Sequence, residues 1–102
     1  MKVVILRPVA KFLDVLETDT KADVSGLIKL LGTYGHELSM PYAKPLGRGL
    51  RELRYTGKQH VRIIFGFWEG SAVLVHALVK KRSALLQRDI LLARKRLDAY
   101  CD

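Results

Sequence analysis

One cysteine, three prolines and a single tryptophan are spread over 102 residues, and acidic side chains are far scarcer than basic ones. The lone thiol, Cys101, stands next to last, which excludes an intrachain disulfide framework and a cysteine-based zinc site. No run approaches the roughly 18 consecutive apolar residues of a membrane span. The opening Met1 to Ala10 sets Lys2 and Arg7 around a short apolar stretch, which is not the pattern of a secretory leader. The expectation is a cytoplasmic protein with no membrane partner. His36, His60 and His76 fall in three different segments with no HxH or HExxH spacing, so no metal or other cofactor is expected. Gly47-Arg48-Gly49 leads into a strand pattern, not a helix, and is no phosphate loop. Ser25, Ser39, Ser71 and Ser83 lack the context of a nucleophile elbow.

An apolar fraction of 49% with 27% charged residues is ordinary for a globular chain of this length, and it fits one domain over 1–102. The net charge of +8 is less ordinary. Residues 1–43 hold five bases and five acids; residues 44–102 hold thirteen bases against five acids and carry the whole excess. Such asymmetry points to a polyanionic partner more strongly than a uniformly basic surface does.

Lys2-Val3-Val4-Ile5-Leu6 reads as a short strand. Pro8 then opens a helix running to about Glu17, and Asp19 or Thr20 caps a second one. In that second helix Val24, Leu27, Ile28, Leu31 and Tyr34 form the apolar stripe, and Gly35 ends it. Met40 to Gly49, with two prolines and two glycines, reads as a connector. Strand patterns follow at Leu50 to Tyr55, His60 to Trp68 and Ala72 to Val79, joined by Thr56-Gly57-Lys58 and Glu69-Gly70-Ser71. Leu86, Ile90, Ala93, Leu97 and Tyr100 mark a final helix. The predicted order is β-α-α-β-β-β-α, an α+β fold with the two early helices packed on one face of an antiparallel sheet.

The surplus cations Arg48, Arg51, Arg54, Lys58, Arg62, Lys80, Lys81 and Arg82 all fall between the connector and the last helix. Arg62 is the most informative, because it stands inside the apolar run His60 to Trp68. A charge there needs a carboxylate such as Glu52, or else it lines a groove. Whether Arg54, Arg62 and Lys80 share a face depends on hairpin register.

These motifs resemble the RelE-type toxins of bacterial toxin–antitoxin pairs, in particular their HigB-like, phage-derived branch. The matching residues are Met40-Pro41, Lys44-Pro45-Leu46, Gly49-Leu50-Arg51-Glu52-Leu53-Arg54, Arg62, Leu74 to Lys81 with His76 inside it, and Ile90, Ala93 and Arg96. Arg51 replaces the branch's usual aromatic residue, Ala77-Leu78 its Gly-Phe, and Ala84 a frequent basic position. The resemblance implies a RelE-like fold and a metal-independent endoribonuclease (an mRNA interferase) that cleaves messenger RNA on the ribosome. A cognate antitoxin, a helix-turn-helix protein, would restrain it. It implies catalytic roles for Arg54, Arg62, Lys80 and Lys81, RNA contacts at Arg48, Arg51, Lys58 and Arg82, and supporting roles for Glu52 and His76. Glu52 would act as an arginine partner or a weak general base, and His76 as a packed strand residue or a catalyst. The alternative function is that of ParE-like relatives, which poison a DNA topoisomerase through protein contact.

Overall fold

The computed structural model describes residues 1–81 and 85–102. Strand β1 (Lys2–Ile5) leads into helices α1 (Arg7–Asp14) and α2 (Thr18–Tyr34), and a 3-10 turn (Gly35–Glu37) follows. Four strands come next, β2 (Ala43–Gly47), β3 (Leu50–Thr56), β4 (His60–Trp68) and β5 (Ser71–Val79), and then α3 (Gln87–Cys101). They form one sheet in the order β1-β5-β4-β3-β2, antiparallel except where β1 runs parallel to β5. The α+β class agrees with the sequence reading, as does the element order apart from one added strand, β2, and both are consistent with a RelE-like fold. Among the described residues no helix is long and apolar enough to cross a membrane.

Three details differ from expectation. The supposed connector contains an edge strand, because Pro45 lacks an N–H and an edge position tolerates that loss; the register slips between Pro45 and Gly47. Helix α1 stops at Asp14, and α2 begins at Thr18, with Glu17 as its cap. Thr20 is 1% exposed and turned into the core, so it is no cap.

The sheet is covered on both faces, not one. On the first, Val9 of α1 and Val24 and Leu31 of α2 pack on Leu53, Val61, Ile63, Phe65 and Leu74. On the second, Ala93 and Leu97 of α3 pack on Leu50, Ile64, Val73 and Val75. Gly66 admits that helix, since a Cβ there would run into the Leu97 side chain and approach the Gly49 carbonyl at 3.2 Å. Strand alternation assigns the faces: Leu53 and Ile63 look toward α2, while Glu52, Arg54, Arg62 and Ile64 look toward α3.

Candidate functional site

Register decides which cations meet. Arg54 pairs across β3–β4 with Arg62, Arg62 pairs across β4–β5 with Leu78, and the Lys80 amide donates to the His60 carbonyl at 2.6 Å. Lys44 of β2 pairs with Glu52. Lys44, Glu52, Arg54, Arg62 and Lys80 therefore line one end of the α3 face.

Glu52 is the only acid in this row. Its Oε1 lies 3.4 Å from Arg54 Nε and 3.8 Å from Arg62 Nε. None of these three atoms has a hydrogen-bond partner among the described residues. Arg62 is 2% exposed and fixed elsewhere as well, its Nη1 donating to the carbonyls of Tyr55 (2.9 Å) and Val61 (3.0 Å). The guanidinium follows the first of the two alternatives raised by the sequence: it is ion-paired to Glu52 and lies beneath the charged end, lining no groove. Burial lowers its pKa; Glu52 opposes that shift and Arg54 adds to it. The Lys80 ammonium is also pushed below its ordinary value, first by burial, then by Arg62, with Glu52 opposing and Arg54 and Lys44 reinforcing.

Beyond β5 the row opens into a cleft of about 300 Å³ between the strand end and the start of α3. Lys80, Lys81 and Arg88 supply its positive charge, Asp89 its negative charge, and Leu78 and Leu85 part of its apolar wall. His76 fastens the strand to the helix beside this cleft. Its Nε2 lies 2.9 Å from Asp89 Oδ1, and Arg96 Nη1 donates to its Nδ1 at 3.2 Å and to the Val75 carbonyl at 3.0 Å. The tautomer that serves both contacts carries its proton on Nε2, toward Asp89, and leaves Nδ1 to accept from Arg96. His76 is a strut, held on both nitrogens.

The other cations named from the sequence lie elsewhere. Arg51 points to the α2 face and donates to the Leu38 carbonyl at 2.8 Å. Lys58, on the β3–β4 turn, reaches Glu17 at 3.6 Å. Arg48 sits with φ 56 in the β2–β3 turn, where its carbonyl accepts from Arg94. Four residues of β3, Leu50 to Leu53, separate that turn from Arg54, about 15 Å. Arg82 and Ala84 lie outside the described residues. Two cations absent from the sequence-based site, Lys44 and Arg88, belong to the charged end. Lys44 was hidden by the connector reading, and Arg88 by its place off the apolar stripe. Among the described residues no three His, Cys, Asp or Glu converge as metal ligands. His36 instead stacks on Phe67 with centroids 3.8 Å apart.

A family model described as phage derived protein Gp49-like (DUF891) matches residues 11–98, most of the chain. No curated protein matches it.

Proposed function

The chain belongs to the Gp49-like phage-derived family, and from that premise we propose that it is the toxin of a toxin–antitoxin pair, a HigB-like endoribonuclease that cuts messenger RNA without metal. The reading rests on one observation: strand register gathers Arg54, Arg62 and Lys80 on one face, with Lys80 depressed below an ordinary lysine. A single-stranded phosphodiester laid along Arg54, Lys80 and Lys81 has its charge neutralised where negative charge grows in the transition state. The Lys80 amine takes the proton of the ribose 2′-OH as the 2′-oxygen forms its bond to phosphorus. The bond from phosphorus to the 5′-oxygen breaks, and the Lys81 ammonium returns a proton to that oxygen. The products are a 2′,3′-cyclic phosphate and a 5′-hydroxyl.

Arg62 is sealed beneath this surface, so its part is to raise the local potential and hold Glu52, not to grip phosphate. Glu52, held between two guanidiniums, is their partner and not the base. The physiological partners are messenger RNA on the ribosome and a helix-turn-helix antitoxin. That sealing also favours the second reading, a ParE-like toxin that acts on a topoisomerase through protein contact, since it removes one cation from direct contact with substrate.

The test is to mix the purified protein with translating ribosomes and map the ends of the message. Cyclic phosphate and 5′-hydroxyl ends are expected, and Lys80→Ala should slow their appearance by about 100-fold or more. Intact message with folded protein would sink the nuclease reading, and gyrase inhibition in the same preparation would establish the second.

A further inference from the structure

Arg54 belongs to two places at once. Its Nε faces Glu52 in the charged row, while its Nη1 lies 3.4 Å from the sulfur of Met40, in the segment leading into β2 at the sheet edge. There a cavity of about 340 Å³ is walled mainly by Gly26, Leu27, Pro41, Tyr42 and Tyr55, with Asp23 and Arg54 as its charges. Its lining is largely apolar and includes two aromatic rings.

Three features of this cavity are not required by the packing of the fold. Gly26 stands inside α2, where glycine is a poor helix former, yet a Cβ at this position meets nothing within 4 Å. Tyr42 leaves 46% of its surface exposed. The Tyr55 ring turns back along the β3–β4 turn so that its hydroxyl donates to Asp23 Oδ2 at 2.8 Å. That course exists because residue 57 is glycine: a Cβ there would collide with the ring. The hydrogen bond to Asp23 raises the Tyr55 pKa and keeps the hydroxyl a donor.

We propose that this cavity receives one unpaired nucleobase of the RNA whose phosphate lies on the Arg54–Lys80 row, with Tyr42 and Tyr55 as its aromatic walls and Asp23 accepting from its exocyclic amine. The assignment rests on the RNA reading above and adds a base preference to it. A strand that follows the phosphates past Arg54 delivers its neighbouring base to this opening, because Arg54 borders both sites. The Asp23 carboxylate repels phosphate and welcomes N–H, so a base edge fits here and the backbone does not. Adenine, cytosine and guanine carry such an amine; uracil does not. Gly26 leaves the floor open for the ring.

The probe is a short 2′-O-methyl RNA, which lacks the attacking hydroxyl, with 2-aminopurine at one position or an abasic site in its place. Binding to the full chain should quench the 2-aminopurine emission, and the abasic strand should bind about tenfold more weakly. Gly26→Leu and Tyr42→Ala should each bring the base-containing strand down to the abasic affinity. Gly26→Leu improves helix propensity at a position with open space, so circular dichroism should show an intact fold. A uracil strand should bind more weakly than its adenine counterpart, and Asp23→Asn should narrow that gap. Equal affinity for base-containing and abasic strands overturns the base site and leaves the phosphate row standing. No binding of either strand overturns both. If Gly26→Leu leaves RNA affinity unchanged but abolishes binding of a protein partner, the cavity is a protein contact and the proposal fails.

Discussion

Along the α3 face of the sheet, Leu50, Ile64, Val73 and Val75 are closed over by Ala93 and Leu97, whereas toward the other end of β3 and β4 Glu52, Arg54 and Arg62 face one another. The backbone is the same antiparallel ladder in both places, and only the cover and the side chains change. At the apolar end, burial itself is the stabilising term. At the charged end, Arg62 and Glu52 are as buried as the core residues beside them, at 2% and 1% exposure, and burial is a cost that pairing must offset. Such an arrangement stabilises a fold poorly, but it holds positive potential near a lysine that burial has already weakened as an acceptor of charge. On the proposed function, the difference between the two ends is one between stability and chemistry.

Removing charge from one partner only is the harshest way to break that comparison. Glu52→Gln leaves Arg62 buried without its counter-charge and should cost about 3–5 kcal/mol in urea denaturation. Leu97→Ala at the apolar end should cost about 2–5 kcal/mol through the cavity it leaves. The double variant Glu52→Leu/Arg62→Met separates the two ends. It should fold within about 1 kcal/mol of the natural chain, or more stably, and yet cut message more slowly, since the Arg62 charge that lowers the Lys80 pKa is gone. If the double variant is as unstable as Glu52→Gln, the ionic end is a stabilising element and the division fails.

A finer way to sharpen the comparison is pH. The Lys80 ammonium has its pKa lowered in the fold from 10.5, so its charged form opposes folding. That cost is present below the folded-state pKa and disappears as pH rises toward 10.5, so this group's share of stability grows with pH. If Lys80 is the base, activity follows the same direction, since the neutral amine takes the proton. Cleavage rate should climb with pH and level off below the range of a free lysine, and Lys80→Arg should remove the climb. A rate that is flat with pH in the natural chain would take the base role from Lys80.

Much of this contrast is legible in the sequence, and the illegible part has physical causes. Turn signals at Thr56-Gly57-Lys58 and Glu69-Gly70-Ser71 fix the β3–β4 and β4–β5 hairpins, and period-two alternation already puts Glu52 with Arg54 and sets Arg51 on the opposite face. Register is a different matter. The pairing of Arg54 with Arg62, and the slip between Ile64 and Phe65 that brings both Val75 and His76 to α3, depend on contacts distant in sequence. Strand β2 was concealed by composition, because proline and glycine are turn residues except at an edge. Proximity in sequence also made Lys58 look like part of the cation cluster. No local signal shows that it turns to Glu17.

That last residue carries the smallest expected effect and tests whether the charged end has a boundary. Lys58 and Lys81 are both exposed lysines near the same end of the meander, but Lys81 lines the cleft beyond β5 and Lys58 pairs with the segment that caps α2. If phosphates follow the α3 face, Lys81→Ala removes one contact, and the slope of log affinity against log salt should fall by about 0.7. Lys58→Ala should leave that slope unchanged and cost less than about 1 kcal/mol of stability, the worth of an exposed pair. The two substitutions remove the same charge from the same small protein, so net charge cannot separate them. Equal changes in slope would mean that RNA is drawn by bulk charge, and the division between the ends would then have no bearing on recognition.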